Sequence, residues 1–272
     1  ERLAQRWAEP VIVDNKPGAS GIVAFADVRN TGPDGHTLFV GDTGSLAVNP
    51  LIHASLPYDP ARELAPISLL FRATFLILVS SKSRYATVTE MLADARQQPG
   101  KVSYASLGNG HPTQMCVETL ARAANLNLLH VPFKEAGALF TSVALGDVDF
   151  TVFGLNSASG YLKGGKLKAL AVAAPVRLTE APEIPTIVEA GGPAVEMRPW
   201  AALVGVAGTP PVVLTAIQRD VVEALAAPAV RGRIEAAGFD VTPSTPQQLT
   251  ARIDADVKLY TALVREGRVR GD

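Results

Sequence analysis

One cysteine, Cys116, is present in 272 residues, which excludes an internal disulfide and a zinc site of the paired-cysteine type. Charge of either sign in excess is also missing. The 25 Lys and Arg against 26 Asp and Glu leave a formal net charge of −1, so nothing points to nucleic acid or an acidic membrane surface. No apolar run approaches the roughly 18 residues a membrane span needs; a clean one, Phe75 to Val79, reads as a buried strand. The sequence has no G-x-S-x-G elbow, Walker A sequence, G-x-G-x-x-G or H-E-x-x-H. The histidines (His36, His53, His111, His130) are dispersed, and Asp34, Asp42 and Asp59 are not spaced as metal ligands. Cys116 follows His111 within one predicted helix, where the two side chains point in different directions, so Cys116 reads as a buried structural thiol. These absences predict no metal, no cofactor and no enzymatic chemistry: the chain is built to hold something.

What is present describes a protein with a substantial core, 47% hydrophobic and 19% charged, arranged as two domains or one large α/β domain. Strands are expected at Val11–Asp14, Thr37–Val40, Phe75–Ser80, Val102–Ala105, Leu128–Val131, Val148–Phe153, Lys168–Ala173 and Ala202–Val206. Several are continuous apolar runs of the kind buried on both faces of a parallel sheet. Helices are expected at Ile22–Arg29, Val88–Gln98, Pro112–Ala124, Ala136–Leu145, Val212–Ala226, Ala229–Ala237 and Pro246–Arg265. The last has a capping signature, Thr245 with Gln248 and Pro246, and one apolar stripe through Leu249, Ile253, Val257, Tyr260 and Val264. Arg265 to Arg270 reads as a solvated tail. The fold class is α/β with two lobes.

Four turns, each after a predicted strand, are the binding candidates. The first, Asp14 to Gly21, places Gly18, Ser20 and Gly21 before a helix, where free backbone N–H groups and the helix dipole suit an anion. An ordinary turn with Ser20 as N-cap is the alternative. The second comprises Gly41, Asp42, Thr43, Gly44 and Ser45. The third runs from Ser106 through Gly110, His111 and Pro112 to Thr113, opening directly into a helix. The fourth is Phe153, Gly154, Leu155, Asn156 and Ser157. Ligands of open parallel sheets bind beyond the carboxyl ends of the strands, where such turns gather.

The same segments resemble the solute-binding receptors of tripartite tricarboxylate transporters, the Bug family of periplasmic binding proteins. The matching motifs are Asp14-Asn15-Lys16-Pro17-Gly18-Ala19-Ser20-Gly21, Pro33-Asp34-Gly35-His36-Thr37-Leu38, Asn49-Pro50, Leu56-Pro57-Tyr58-Asp59, Ser106 through Pro112, and Val131-Pro132-Phe133-Lys134. Further on they are Gly165-Lys166-Leu167-Lys168-Ala169-Leu170-Ala171-Val172, Pro185-Thr186 with Glu189, and Gly208-Thr209-Pro210. The resemblance implies a type II-like periplasmic-binding-protein fold with a ligand cleft between lobes, lobe one being 1–79 with 204–272 and lobe two 80–203. It implies a periplasmic monomer that delivers a small organic carboxylate, an amino acid or aromatic acid among them, to membrane permease subunits. Carried over by position, the grip falls on Ser20, Gly21, Thr43, Gly44, Ser45, Ser106, Gly110, His111, Pro112 and Thr113, with Asp42, Phe153 and Gly154 beside it. A sensing receptor of the same fold and an enzyme on a two-lobed scaffold are the alternatives.

Departures from the family pattern sharpen these expectations. Relatives begin with a further strand and a glycine-rich loop, and this chain opens at Glu1-Arg2-Leu3 with neither a start methionine nor a signal-peptide core, so an upstream segment is expected. His111 stands where a serine or threonine is usual, and either donates to a carboxylate or caps its helix. Gln114 replaces a frequent histidine. Phe153 either stacks on an aromatic ring or fills the core. Asp42 either faces the solute, favouring an amino or ring N–H group, or is an exposed turn residue. The candidate turns carry few arginines or lysines, which favours a monocarboxylate over a tricarboxylate.

Overall fold

The computed structural model describes residues 1–16, 21–196 and 198–270. In chain order it contains helices α1 (Arg2–Trp7) and α2 (Ile22–Arg29), strand β1 (Phe39–Asp42), a π-helical turn (Gly44–Val48) and two single-turn helices, α3 (Asn49–Ile52) and α4 (Pro60–Glu63). There follow β2 (Leu64–Ala73), β3 (Phe75–Ser80), α5 (Val88–Gln97), β4 (Ser103–Ser106), α6 (Pro112–Ala123), β5 (Leu129–Pro132), α7 (Ala136–Leu145), β6 (Phe150–Gly154), α8 (Leu155–Lys163) and β7 (Leu167–Val172). The last part holds β8 (Trp200–Val206), α9 (Pro211–Ala226), α10 (Pro228–Ala236), β9 (Phe239–Val241) and α11 (Pro246–Arg265). The chain divides into two compact units, one of residues 1–72 with 200–264 and one of 73–199 with 265–270. The division falls at Arg72/Ala73 and Pro199/Trp200, ahead of the boundaries expected from sequence, and the C-terminal segment 265–270 goes with the second unit.

In the first unit the strand order is β1-β8-β2-β9, with β8 antiparallel to β1 and β2. Its core gathers Phe25, Phe39, Tyr58, Leu69, Trp200, Val204 and Leu249. Phe25 stacks on Tyr58 with centroids 4.2 Å apart. Each such side chain, fully buried, contributes about 2 kcal/mol. The capping box of α11 forms as the sequence predicts: Thr245 N–H donates to Gln248 Oε1 at 2.9 Å and Gln248 N–H to Thr245 Oγ1 at 3.2 Å. That cap orients the helix so that Leu249, Tyr260 and Leu263 are buried.

Two sequence expectations fail here. Val11–Asp14 forms no strand, and Ile12 and Val13 are 84% and 80% exposed. A short apolar run and β-propensity mark a segment that could pair, but a strand exists only with a partner, and none of the described strands pairs with it. Conversely, β2 went unpredicted because Pro66 and two register shifts break its period. The shifts lie between Pro66 and Ser68 and between Leu69 and Phe71. Backbone groups near the first bulge are satisfied from outside the ladder, with Leu69 N–H donating to Ser244 Oγ and Ser244 N–H to Ser68 Oγ, both at 2.9 Å.

The second unit has the order β5-β4-β6-β3-β7. Strands β5, β4 and β6 are parallel, while β3 is antiparallel to both β6 and β7. The apolar run Phe75–Val79 is buried throughout, yet its partners are antiparallel, contrary to the parallel reading. Burial on both faces needs a covered sheet, not parallel neighbours: Ile77 and Val79 enter one core cluster while Leu76 and Leu78 enter the other. The basic C-terminus is likewise no solvated tail. Arg268 donates to the Leu126 carbonyl at 3.0 Å and lies 3.5 Å from the Glu118 carboxylate, and Val269 is 1% exposed.

Candidate functional site

Strands β4 and β6 lie side by side and parallel, but their outgoing connections run in opposite directions. Helix α6 leads from β4 to β5 on one flank, and α8 leads from β6 to β7 on the other. This reversal is the topological switch point at which α/β sheets bind ligands, beyond the strand ends Ser106 and Gly154. Of the predicted residues, Ser106, Gly110, His111, Pro112, Thr113, Phe153 and Gly154 all come from these two connections. Pro112 occupies the first turn of α6, where its missing N–H costs nothing.

The β4–α6 loop spends its backbone donors internally. Leu107 N–H donates to Thr113 Oγ1 (3.0 Å), Gly108 N–H to Ser106 Oγ (3.1 Å) and Gly110 N–H to Gln114 Oε1 (2.7 Å). His111 is the N-cap of α6: its Nδ1 accepts from Thr113 N–H at 3.2 Å and lies 2.9 Å from Thr113 Oγ1. The capping role of His111 is therefore real, and with Nδ1 accepting, the neutral ring carries its proton on Nε2. Ser106, Gly110 and Thr113 are buried, Asn109 is exposed, and Leu107, Gly108, His111 and Pro112 are half-buried. Phe153 is half-buried and packs against the core, with Phe140 at 4.8 Å and Phe75 at 6.2 Å. Gly154 is the N-cap of α8 rather than part of an open turn.

His130 and Gln114 complete this site, and sequence reasoning assigned neither a role. His130 Nε2 lies 2.6 Å from Ser106 Oγ, Gln114 Nε2 lies 3.3 Å from His130 Nδ1, and the His130 ring stacks on Tyr104 at 5.0 Å. The signal is sheet adjacency, since Tyr104 and His130 are register partners across β4 and β5. Below them Tyr104 Oη donates to Glu118 Oε1 at 2.6 Å. Burial holds the His130 imidazole below its ordinary value. Burial also raises the Tyr104 phenol, reinforced by the Glu118 charge, and raises Glu118 against the opposing pull of Tyr104 and Arg268.

A Ser–His contact of 2.6 Å invites a nucleophile reading, and the tautomer argues against it. Gly110 N–H can only donate, so Gln114 must present Oε1 to it and its NH2 group to His130 Nδ1. An accepting Nδ1 leaves the proton on Nε2, facing Ser106, where a general base would need a lone pair. Ser106 is also fully buried.

In the first unit, Gly21 and the turn after β1 come together. Gly21 has φ +89°, a conformation that costs glycine little, and a Cβ there would sit 3.4 Å from Ser45 Cβ. Asp42 is exposed but faces its own turn: Oδ1 accepts from Ser45 N–H and Ser45 Oγ, both at 2.8 Å. Asp42 N–H donates back to Ser45 Oγ at 2.9 Å. Thr43 is 1% exposed and its Oγ1 accepts the Trp200 N–H at 3.0 Å. Gly44 opens the π-helical turn and is buried. The side chains of Thr43 and Ser45 thus close the turn. Ser20 lies outside the described residues. Among the described residues no cluster of His, Cys, Asp or Glu could hold a metal ion, and no helix is long and apolar enough to cross a membrane.

Known proteins share both sequence and architecture with this chain. The family model described as "Tripartite tricarboxylate transporter family receptor" matches residues 1–268. A Pseudomonas protein from the tcbD-tcbE intergenic region is 29% identical over all of this chain and 81% of its own length. A structure of an R. palustris protein with adipate superposes with a TM-score of 0.84 at 24% identity, covering 100% of this chain and 91% of that one. MatC from Rhodopseudomonas palustris with bound malate gives a TM-score of 0.79 at 26% identity, covering 97% and 90%. With the family model matching residues 1–268 and Bug proteins among the relatives in sequence and structure, the chain belongs to the tripartite tricarboxylate transporter receptor family, periplasmic solute-binding proteins of the Bug type.

Proposed function

We propose that this chain is a periplasmic receptor that captures a small organic carboxylate and hands it to a membrane permease, without catalysis. The observation that carries this reading is the pair of helix-opening connections, 106–113 and 154–157, at the switch point of the second unit. A carboxylate there gains from the positive ends of α6 and α8, with no fixed cation required. Neither 106–113 nor 42–45 contains a lysine or arginine, so one carboxylate is better served than three. The adipate and malate seen in the two neighbouring structures are acids of this size class. Of the sequence candidates, the exposed and half-buried positions Leu107 to Asn109, His111 and Pro112 are the solute's contacts in the second unit. Buried Ser106, Gly110 and Thr113 and half-buried Phe153 support these contacts, and Gly154 aims α8.

The test is to denature natively purified protein, identify the released small molecule by mass spectrometry, and titrate that compound, malate and adipate calorimetrically. A released mono- or dicarboxylate that rebinds supports the receptor reading. Release of a compound without a carboxylate, or turnover of the bound acid on incubation, would overturn it.

A further inference from the structure

We infer that His130 is the positioning residue of the β4–α6 loop: only its neutral ring accepts from Gln114 and, through that side chain, holds the Gly110 backbone, so solute affinity is lost when the ring takes a proton. The affinity half of this inference rests on the receptor reading; the loop half stands on geometry alone.

The argument begins with a group that cannot change role. Gly110 N–H is a donor, and at 2.7 Å it fixes the carbonyl oxygen of Gln114 toward itself. The Gln114 amide nitrogen then faces His130 Nδ1 at 3.3 Å, so Nδ1 accepts. The ring's proton sits on Nε2 and donates to Ser106 Oγ at 2.6 Å, and the same oxygen accepts Gly108 N–H at 3.1 Å. One imidazole therefore governs two loop residues, Gly108 through Ser106 and Gly110 through Gln114. A second proton turns Nδ1 into a donor aimed at a donor. Flipping the Gln114 amide relieves that clash but points its NH2 group at Gly110 N–H, creating the same conflict one bond further on. No arrangement of this network satisfies imidazolium, so the half-buried ring must give up the Gln114 bond when it takes a proton.

The groups around the ring offer no rescue. Tyr104 stacks on it and uses its hydroxyl on Glu118; Glu118 is shared between that hydroxyl and Arg268 at 3.5 Å; His111, on the loop itself, caps Thr113 through Nδ1. The depression of the His130 imidazole by burial agrees with this picture.

The experiment follows the ring and the loop together by nuclear magnetic resonance on the full chain from about pH 8 to about pH 5, the range in which histidine titrates. The Gly108 and Gly110 amide signals should shift with the midpoint of the His130 ring; amides that ignore the ring would overturn the inference whether or not any acid binds. In parallel, malate affinity is measured across the same range for the wild type and for His130→Gln, which keeps a donor for Ser106 but has no titration. The wild type should lose about tenfold in affinity per pH unit below the ring's midpoint, as one linked proton requires. His130→Gln should bind more weakly at pH 8 and show only the change due to malate's own titration. Identical pH profiles for the two proteins would refute the link to affinity. If the amides follow the ring but neither malate nor adipate binds at pH 8, the loop device stands and the receptor reading for these acids fails.

Discussion

Thr43→Val separates a hydroxyl that holds the protein together from one that holds a solute. Sequence reasoning assigned this side chain to the solute, whereas in the structure its Oγ1 accepts the Trp200 N–H at 3.0 Å and is 1% exposed. Valine has nearly the same shape, so no cavity opens, but the buried N–H at the start of β8 loses its acceptor. Leaving such a donor unsatisfied costs about 1–3 kcal/mol. With a urea dependence of about 2 kcal/mol per molar, the unfolding midpoint should fall by about 1 M at the centre of that range. The assay is convenient because Trp7 and Trp200 both belong to the first unit, so intrinsic fluorescence reports that unit. Thr43→Ser keeps the acceptor and should fall by less than half as much. A Thr43→Val midpoint within 0.2 M of wild type, as an order-of-magnitude limit, together with lost malate binding, would refute the structural assignment and return the hydroxyl to the solute.

Other outcomes follow from the same geometry. Tyr104→Phe deletes the donor to the buried Glu118 carboxylate, so stability should drop by about 1.5–3 kcal/mol in chemical denaturation and the Glu118 carboxyl should titrate higher still, visible in its carbon resonance. Because burial depresses folded His130, the unfolded chain takes up a proton below about pH 6.5 that the folded chain refuses. Stability should therefore fall as pH drops from that value through the lower folded one, then level off, and His130→Gln should flatten this part of a denaturation-versus-pH curve. Gly41→Ala places a Cβ 2.8 Å from Leu46 Cδ1, and melting experiments should show a loss of about 1–3 kcal/mol from overpacking.

Local signals carried much of the fold. Helix α11 declares itself by Thr245, Pro246 and Gln248, a cap that needs only neighbours in sequence, and α6 by Pro112 behind a glycine-bearing loop. The β4–α6 connection was recognisable as a glycine-bearing turn opening a helix because turn chemistry is local. Pairing is not local. Val11–Asp14 has the composition of a strand and no described partner, while β2 has partners and a pattern broken by Pro66 and two bulges. The same limit hid His130, whose part in the loop comes from lying beside Tyr104 in the next strand, 26 positions along the chain.

The sequence by itself determined the family, the α/β class, the lack of a metal-ligand or nucleophile motif and the turns that open α6 and follow β1, since each depends on residue type and short spacing. Tertiary structure alone decided which donors in those turns are spent. Thr43 serves Trp200, Gln114 serves Gly110, and Ser106 is held by His130, because whether a hydroxyl faces a ligand or a buried N–H depends on what folding places within 3 Å of it.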